Sequence, residues 1–271
     1  MADRFSRQQF LGSDFDRLAA DTEVGIVGLC GGGSHVAQQL AHIGVGRFRL
    51  FDPDAADGTN TGRMVGLSAK DAECERLKTD VIARHILAIN PAAEVTAHPV
   101  SWQKASEAMK LCHAVFSCVD RYHPRDELER FCRRYLIPYI DVGMDVHGEN
   151  LPYHIAGQVI VSLPGRPCLR CFGFITDERL REEARRYGAV GGRPQVVWPN
   201  GVLASTAVGA FIQMISPWSD DAPPLYTEYD GNRFQLFPSH RLAPLIHYTC
   251  PHYPLTASLG DVDWSRVSEA I

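Results

Sequence analysis

The sequence predicts an α/β fold: a Rossmann-like, mainly parallel sheet with helices on both faces, plus a β-rich C-terminal extension. Short apolar runs alternate with amphipathic helical runs through the first half of the chain. A glycine-rich turn joins the first apolar run to the first helical run. After residue 215 this alternation stops, and short aromatic-rich segments separated by turns replace it. Together these observations place a strand–helix core before a smaller β-rich part.

The first half contains five predicted strands and three predicted helices. The strands lie at 23–30, 47–54, 94–101, 113–120 and 138–145, and the helices at 34–44, 75–90 and 126–136. The pair Asn90-Pro91 marks the end of the second helix, because proline cannot continue a helix. Strands that alternate with helices favour right-handed crossovers and a parallel sheet covered on both faces.

The second half has a different composition. A strand is predicted at 154–164, where it ends at a proline, and an apolar helix with small residues is predicted at 201–215. Between them, residues 171–195 are polar and contain several glycines, which is typical of a loop with a short helix. Residues 223–256 hold the short aromatic segments and a turn at 230–232. No internal repeat is present, so we expect a single domain.

Bulk composition argues against several classes of protein. The chain has 271 residues, 45% of them hydrophobic, which is enough for a sizeable core. A net charge of −5 with no long basic run argues against nucleic acid as the main partner. No apolar run is long enough to span a bilayer, and the N-terminus lacks the apolar centre of a signal peptide. We therefore expect a cytoplasmic protein whose eight cysteines are core residues, metal ligands or nucleophiles.

A glycine-rich turn, VGLCGGGS, follows the first predicted strand. Its glycines are Gly28, Gly31, Gly32 and Gly33. Glycine tolerates positive φ and lets backbone N–H groups approach a phosphate, which a helix N-terminus also attracts. Asp52 and Asp54 follow about 20 residues later, where an acidic side chain binds ribose hydroxyls in nucleotide-binding folds. The turn is therefore a candidate nucleotide site, and a plain strand–helix turn is the alternative.

A nicotinamide-dependent dehydrogenase is a second alternative for this turn. The dinucleotide fingerprint places a glycine where Cys30 stands, so that the pyrophosphate can approach closely. Cys30 therefore argues against this class. A titration with NADH, followed by fluorescence, would separate it from the other candidates.

Further polar residues suit nucleotidyl transfer to a carboxylate. They are Asn60, Arg63, Lys78 and Asp120, with Arg4 and Arg7 near the N-terminus. Asp120 closes the fourth predicted strand, at the edge of a parallel sheet where ligands bind. A carboxylate is ionised at neutral pH and needs no general base, but the phosphates of ATP repel its charge. Fixed cations and Mg²⁺ are therefore expected to carry the catalysis, with Asp120 holding the metal.

The order of these motifs resembles that of the ThiF/MoeB/HesA adenylyltransferases, bacterial relatives of ubiquitin-activating enzymes. The motifs are RFSRQ, GLCGGGS, DPD, NTGR, Lys78, SCVD and CLRC, and they cover most of residues 4–215. The resemblance implies that ATP and Mg²⁺ are used to adenylate the C-terminal glycine of a small ubiquitin-like or sulfur-carrier protein, with release of pyrophosphate. It also divides the single domain, residues 1–271, into a nucleotide-binding core at about 20–150, a crossover loop at about 173–198 and a carrier-docking tail at about 216–256.

The same resemblance assigns a role to individual residues. The ATP-binding residues would be Gly28, Gly31, Gly33, Asp52, Asp54 and Asn60, with Asp52 on the ribose. The catalytic residues would be Arg7, Arg63, Lys78 and Asp120. Asn60, Arg63 and Lys78 would contact phosphates, while Asp120 would hold Mg²⁺. Arg7 resembles an arginine finger that reaches the ATP of the partner subunit, which implies a homodimer.

Cysteine spacing indicates a metal site. The CLRC motif has the spacing of half a tetrahedral zinc site. The family supplies a second Cys-x-x-Cys near the C-terminus, but Tyr253 stands where its second cysteine would be. The expected ligands are therefore Cys168, Cys171, Cys250 and His252, with His247 as a weaker candidate. The alternative is that zinc has been lost and that these are ordinary residues.

A cysteine nucleophile is not evident in the loop after the zinc pair. No cysteine occurs between Cys171 and Cys250, where relatives that pass the activated carrier onward often keep one. The other candidates fall on predicted core strands or helices and are Cys74, Cys112, Cys118 and Cys132. Ser205 and Thr206 could form an ester, but their place on a small-residue helix favours packing. We therefore expect adenylation without a loop-cysteine thioester.

Several hypotheses about the function remain open. The first is the carrier adenylyltransferase, and a close variant adenylates the C-terminal carboxylate of a ribosomal peptide. An NAD-dependent oxidoreductase is a different class, and an inactive scaffold that pairs with an active homologue is a third. Residues 173–198 are expected to cross over the bound carrier tail. The aromatic residues of the tail either dock the carrier or pack as core; they include Tyr226, Tyr229, Phe234 and Phe237.

Overall fold

The computed structural model describes residues 4–148, 150–185, 194–216, 218–245, 247–254 and 259–261. Its strands are β1 (Glu23–Val27), β2 (Arg47–Phe51), β3 (Glu94–His98), β4 (Ala114–Ser117), β5 (Tyr139–His147), β6 (His154–Ser162), β7 (Tyr226–Asp230) and β8 (Gln235–Pro238). They join one sheet in the order β3-β2-β1-β4-β5-β6-β7-β8.

Helices pack on both faces of this sheet. They are α1 (Phe15–Asp21), α2 (Gly31–Ile43), α3 (Ala69–Glu73), α4 (Lys78–Ile89), α5 (Ser106–Met109), α6 (Tyr122–Arg134), α7 (Asp177–Arg185) and α8 (Val197–Ile215). One core cluster joins α2, α4 and α8 to the sheet and contains Ile140 of β5 and Phe211 of α8. The other contains Tyr139 of β5 and Leu128 of α6, so it lies on the opposite face. No helix in the described part of the chain is long and apolar enough to cross a membrane.

The first five strands run parallel, and the last three are antiparallel additions. β1 pairs in parallel with β2 on one side and β4 on the other, so the chain winds outward in two directions from β1. β5 pairs with β6 in antiparallel, and β7 and β8 continue that arrangement. Ligands of such sheets bind outside the carboxyl ends of the strands, where the winding direction reverses. The predicted α/β class with a β-rich extension is confirmed.

Two helices begin earlier than the sequence predicts. α2 begins at Gly31 rather than at residue 34, so glycines of the turn form its first turn. α8 begins at Val197 rather than at residue 201, although Pro199 lies in its first turn. Proline is tolerated there because the first N–H groups of a helix have no intrahelical partner. The helices α1, α3 and α5 are absent from the prediction because they are too short to show a helical period.

The predicted crossover loop leaves the sheet after β6 and returns to it through α8. Its first half contains α7. Residues 186–193 of this loop lie outside the described part of the chain. The predicted limits of the nucleotide-binding core, the crossover loop and the docking tail stay predictions.

The aromatic tail divides into buried and exposed residues. The predicted turn after Asp230 joins β7 to β8. Tyr226 and Tyr229 are buried in the two core clusters, which favours packing over docking for both. Phe234 is 78% exposed and Phe237 is exposed as well. For these two rings the docking role stays a prediction.

Candidate functional site

The glycine turn links β1 to α2 at the carboxyl edge of the sheet. Gly28 has a φ of +84°, and a Cβ there would lie 2.6 Å from the carbonyl oxygen of Cys118. A Cβ on Gly33 would overlap the carbonyl oxygen of Gly28. Both positions therefore require glycine. The N-terminus of α2 has no side-chain cap, so its first N–H groups are available to an anion.

Three charged residues that are distant in sequence surround Cys30. This residue is the N-cap of α2 and is half-buried, so a small side chain fits at this point of the turn. Burial raises the pKa of the Cys30 thiol, whereas Arg63 and Lys78 lower it and Asp120 raises it. All three charges thus act on the same point. Contacts agree with this: Val65 N donates to Ser34 Oγ of α2 at 3.0 Å, Leu29 N donates to Asp52 beside Lys78, and Cys118 N donates to Val27 O at 2.8 Å. The segments that bear Arg63, Lys78 and Asp120 therefore all border the glycine turn.

Asp52 connects the end of β2 to this turn. It is 5% exposed, its Oδ2 accepts a hydrogen bond from Leu29 N at 2.7 Å, and its Oδ1 accepts one from Asp54 N at 3.0 Å. Burial raises the pKa of Asp52, and Lys78 lowers it only in part. A carboxylate oxygen accepts more than one hydrogen bond, so both oxygens can still accept from a hydroxyl. This geometry suits the predicted ribose contact.

Lys78 is the first residue of α4 and is buried beside the same carboxylates. Its Nζ lies 2.8 Å from Asp54 Oδ2 and 4.0 Å from Asp52 Oδ1. Burial lowers the pKa of Lys78, but the two carboxylates outweigh that effect and raise it. The ammonium group therefore stays charged at neutral pH, next to the glycine turn.

Asn60 and Arg63 lie at the end of a short 3₁₀ helix and in the turn that follows it. A capping box fixes this helix, because the Asp57 side chain accepts a hydrogen bond from Thr59 N at 2.7 Å. Asn60 is buried, and Arg63 Nη1 donates to Thr59 O at 2.6 Å. Arg63 Nε is buried without a hydrogen-bond partner among the described residues. This guanidinium can therefore donate to an anionic ligand.

Asp120 lies just beyond β4 and is exposed. Gln195 Nε2 donates to its Oδ1 at 3.1 Å. Its Oδ2 accepts no hydrogen bond from the part of the chain that the structure describes. Mg²⁺ prefers oxygen ligands and is held in many sites by one or two carboxylates together with substrate phosphates. A single carboxylate with one open oxygen, beside cations placed for phosphates, fits that kind of site.

Arg7 is not brought to the turn within this chain. Its segment packs against the C-terminal end of α2, where Gln8 Nε2 donates to Ile43 O at 2.9 Å. That end lies roughly 20 Å from the glycine turn, because the 13 residues of α2 rise about 1.5 Å each. The Arg7 side chain is exposed. An arginine-finger role is therefore open to Arg7 only toward a second chain.

The four predicted zinc ligands converge. They are Cys168, Cys171, Cys250 and His252, and their ligand atoms all lie within 4.8 Å of one another. Cys171 Sγ lies 3.5 Å from Cys168 Sγ and 3.6 Å from Cys250 Sγ. His252 Nδ1 lies 3.4 Å from Cys171 Sγ. Zinc with Zn–S bonds of about 2.3 Å sets tetrahedral sulfur atoms about 3.8 Å apart, so this spacing fits a zinc ion.

Among the residues considered as the fourth zinc ligand, the structure favours His252 over Tyr253 and His247. Tyr253 lies under the Arg133 guanidinium, whose Cζ is 5.6 Å from the ring centroid. His247 is exposed and is not a member of the described cluster. The pKa of the Cys250 thiol falls to about 4 because the Cys168 thiol donates a hydrogen bond to it. A sulfur that carries negative charge is the form that binds zinc.

Sequence reasoning missed the side chains that hold this cluster to α6. Glu129 is fully buried, and its Oε1 accepts a hydrogen bond from Leu169 N at 3.0 Å. Burial raises the pKa of Glu129 to about 7. One turn later, Arg133 Nη2 donates to the carbonyl oxygens of Arg166 and Pro167 at 2.9 and 3.0 Å. The only local signal is a glutamate four residues before an arginine, a spacing shared by exposed helical ion pairs.

The remaining cysteines do not form a second reactive cluster in the described part of the chain. Cys112 and Cys132 are buried, as predicted, and Cys118 is half-buried behind the glycine turn. Cys74 is exposed at the C-terminus of α3, so its predicted place in the core is wrong. The structure places Cys74 at the C-cap of α3, a short helix that the sequence did not predict, and the next helix begins only at Lys78.

Comparison with known families agrees with this arrangement. A sequence model of the ThiF family matches residues 5–252. The chain belongs to the ThiF family. The match includes both the glycine turn and the Cys/His cluster, and it confirms the resemblance inferred from the order of the motifs.

Curated relatives of this ThiF-family chain include several enzymes. The tRNA threonylcarbamoyladenosine dehydratase of Escherichia coli K12 is 32% identical over 47% of this chain and 48% of its own. The chain thus matches about half the length of that relative. The sulfur carrier protein ThiS adenylyltransferase of E. coli K12 is 27% identical over 69% of this chain and 73% of its own. The molybdopterin-synthase adenylyltransferase of the same organism is 31% identical over 65% and 69%. The two adenylyltransferases among these relatives agree with the predicted enzyme class, a nucleotidyltransferase of the adenylyltransferase type.

Solved structures show the same fold at lower sequence identity. E. coli MccB with succinimide has a TM-score of 0.70 and 21% identity, over 96% of this chain and 75% of that chain. The microcin C7 biosynthetic enzyme MccB in complex with N-formylated MccA has a TM-score of 0.71 and 22% identity, over 88% and 72%. At this level of identity the similarity shows a shared fold.

Proposed function

We propose that this ThiF-family chain adenylates the C-terminal glycine carboxylate of a small ubiquitin-like or sulfur-carrier protein. ATP and Mg²⁺ would be used, and pyrophosphate would be released. The observation that carries the proposal is that the segments bearing Arg63, Lys78 and Asp120 all border the glycine turn. The carrier adenylyltransferases among the relatives support this substrate class. The proposed setting is the cytoplasm, where the thiols of the Cys/His cluster would stay reduced.

The carrier carboxylate would attack the α-phosphorus of ATP. A bond forms between a carboxylate oxygen and phosphorus, the bond to the bridging oxygen breaks, and pyrophosphate leaves with its electron pair. The attacking group is already ionised, so no general base is required. The barrier is the repulsion between anions, which Arg63, Lys78 and the N-terminus of α2 reduce. Mg²⁺, when bound by Asp120 and the phosphates, neutralises further charge.

The remaining ATP contacts are proposed from the same geometry. Asp52 has two oxygens beside the glycine turn that would accept hydrogen bonds from the ribose hydroxyls. Asn60 is buried near Arg63 and would donate its amide N–H to a phosphate. Because Gly28 and Gly33 have no Cβ, the turn packs closely against Cys118 and against itself, which would fix the N-terminus of α2 toward the phosphates.

Arg7 is proposed to complete the site of a second copy of this chain. Its exposure and its distance from its own glycine turn support a role in trans, as the family resemblance implies. The active unit would then be a homodimer, in which each copy binds ATP and lends one guanidinium to its partner.

The adenylate is proposed to pass directly to a sulfur donor or acceptor, without a loop-cysteine thioester. No cysteine lies between Cys171 and Cys250 in the sequence. Ser205 and Thr206 are occupied, because each hydroxyl donates to the carbonyl oxygen four residues earlier in α8. Their geometry supports a packing role.

A structural zinc ion is proposed for the Cys/His cluster. The three sulfur atoms and His252 Nδ1 provide the donor set and spacing of a closed tetrahedral site. Such an ion would tie the segment 250–252 to the turn 168–171 and so fix the start of the crossover loop.

Replacement of His252 by alanine is expected to reduce zinc content and lower the melting temperature. Three cysteines alone leave an open position in the tetrahedron, and structural zinc contributes directly to folding. Zinc is measured by mass spectrometry of the purified chain, and unfolding is followed by circular dichroism. The matched control is His247→Ala, which removes an exposed histidine outside the cluster. Full zinc occupancy in His252→Ala would contradict the assignment of the fourth ligand.

The adenylation proposal is tested by exchange of labelled pyrophosphate into ATP. Exchange is expected to require a ubiquitin-fold protein ending in glycine, a divalent cation and Asp120. Asp120→Ala should abolish it, whereas Asp221→Ala, at an exposed aspartate in the loop after α8, should leave it unchanged. ATP binding without exchange for any carrier would contradict the proposed substrate class.

A ribosomal peptide with a free C-terminal carboxylate is the second candidate substrate. The observation that favours it is the fold shared with MccB, whose structure was solved with N-formylated MccA. The chemistry at the α-phosphorus would be the same, so only the acyl donor differs. Exchange that depends on a short peptide and not on a folded carrier would select this candidate.

A further inference from the structure

Gln195 is the residue that hydrogen-bonds to Asp120, and no role was predicted for it. Its Nε2 lies 3.1 Å from Asp120 Oδ1, across 75 residues of sequence. It stands at the end of the crossover loop, two residues before α8 begins. A side chain from this loop therefore reaches the carboxylate at the edge of the sheet.

The backbone next to Gln195 is tied to the glycine turn. Asn200 Nδ2 donates to Val196 O at 3.0 Å, which closes the first turn of α8 on the residue after Gln195. The Asn200 amide also lies against Gly31, where a Cβ would come within 2.5 Å of Nδ2. The hydrogen bond between Gln195 and Asp120 therefore joins two elements that the glycine turn already holds.

A second side chain of the crossover loop, Glu183, attaches this loop to the start of α6. Glu183 of α7 accepts hydrogen bonds from Tyr122 N at 2.9 Å and His123 N at 2.8 Å. These are the first N–H groups of α6, and they have no intrahelical partner. The carboxylate thus stabilises the helix that begins two residues after Asp120. The crossover loop therefore contacts Asp120 through Gln195 and the start of the following helix through Glu183.

We propose that Gln195 is a positioning residue that holds Asp120 for the divalent cation, an inference that rests on the proposed function. The Gln195 amide engages Oδ1 and leaves Oδ2 open to the metal. Carboxylate ligands are commonly oriented by a second group, and loss of that group weakens metal binding by about 10- to 100-fold. An exposed aspartate without this bond populates several rotamers, so only part of the population presents an oxygen to the metal.

The same hydrogen bond couples the metal to the crossover loop. If the Gln195 contact favours metal binding, metal binding favours the conformation in which Gln195 contacts Asp120 to the same extent. Gln195, which lies two residues before α8, would therefore be held at Asp120 most strongly when the cation is present.

The test measures metal binding rather than turnover. Mn²⁺ is titrated into the full chain saturated with a non-hydrolysable ATP analogue, and free Mn²⁺ is read by electron paramagnetic resonance. Gln195→Leu keeps the size of the side chain and removes its donor. We expect Mn²⁺ affinity to fall about tenfold, while affinity for the analogue without metal stays unchanged. Equal Mn²⁺ affinity in Gln195→Leu and the unaltered chain would overturn the inference.

Two further variants make the outcome unambiguous. Gln103→Leu is the matched control, because Gln103 Nε2 donates to Glu127 Oε2 at 2.9 Å in an exposed glutamine–carboxylate pair that links the short 3₁₀ helix Trp102–Ala105 to α6. It should leave Mn²⁺ affinity unchanged. Asp120→Ala should remove the tight Mn²⁺ site. If it does and Gln195→Leu has no effect, the role of Gln195 fails alone; if it does not, the metal site of the proposed function fails.

Discussion

Replacement of Lys78 by methionine should reduce carrier-dependent pyrophosphate exchange by about 100- to 1,000-fold, the usual cost of removing one preorganised group that stabilises developing charge. Methionine keeps the apolar stem of the side chain and removes its charge. Lys78 Nζ lies between the carboxylates of Asp52 and Asp54, at the glycine turn. Since the proposed reaction uses no general base, a lost cation cannot be replaced by faster proton transfer.

The same substitution should also weaken ATP binding. Burial already raises the pKa of Asp52, and Lys78 is the main charge that opposes this. Without Lys78, Asp52 would more readily take up a proton and become a poorer acceptor for ribose hydroxyls. Exchange is therefore measured at saturating ATP, with the apparent KM for ATP determined separately. Lys78→Arg keeps the charge in a different shape and should retain part of the activity.

Lys110→Met is the matched control for this experiment. Lys110 Nζ also contacts two carboxylates, Glu107 and Asp261, each at 2.7 Å. These groups belong to α5 and the C-terminal segment and have no part in the glycine turn. Exchange should be unchanged in Lys110→Met. An equal loss in both variants would mean that Lys78 acts through general stability and would contradict its role at the phosphates.

The parallel core could be predicted because its signals are local. All five residues of β1 are buried, so the strand appears in the sequence as a continuous apolar run between turn residues. The start of α2 could not be predicted, because glycine has a low helix propensity. Packing determines where this helix begins. Gly31 faces the Asn200 amide and Gly33 faces the carbonyl of Gly28, and both contacts exclude a Cβ.

The residues of the candidate site also divide into some that the sequence predicts and some that only the folded chain reveals. Asp120 could be chosen because it closes the fourth predicted strand, whereas Arg63 and Lys78 could be chosen because the order of the motifs resembles that of the ThiF family. The partner of Asp120 could not be chosen, since Gln195 is 75 residues away and lies in a polar loop without periodicity. Glutamines in such loops are ordinarily solvated, so only the folded chain reveals this contact.

The ion pair between Arg125 and Asp141 should contribute strongly to the packing of α6 against β5, close to Asp120. The sequence did not predict this pair, because its two residues lie on different elements, α6 and β5. Their side chains are 7% and 0% exposed, and the Tyr139 hydroxyl donates to Asp141 Oδ1 at 2.9 Å. Burial lowers the pKa of Arg125, but Asp141 outweighs that effect and raises it. Arg125→Leu would leave a buried carboxylate without its cation and should cost about 3–5 kcal/mol of unfolding free energy.

Urea unfolding of Arg125→Leu and of a matched control measures this cost. The control is Arg233→Leu, because Arg233 Nε lies 3.7 Å from Asp230 Oδ2 in a pair whose side chains are 77% and 31% exposed. An exposed pair should contribute about 1 kcal/mol or less. The double variant Arg125→Leu/Asp141→Leu should recover much of the loss, since no unpaired charge then remains buried. If Arg125→Leu costs no more than Arg233→Leu, water must reach Asp141, and the interface between α6 and β5 would be open to solvent close to the proposed metal ligand.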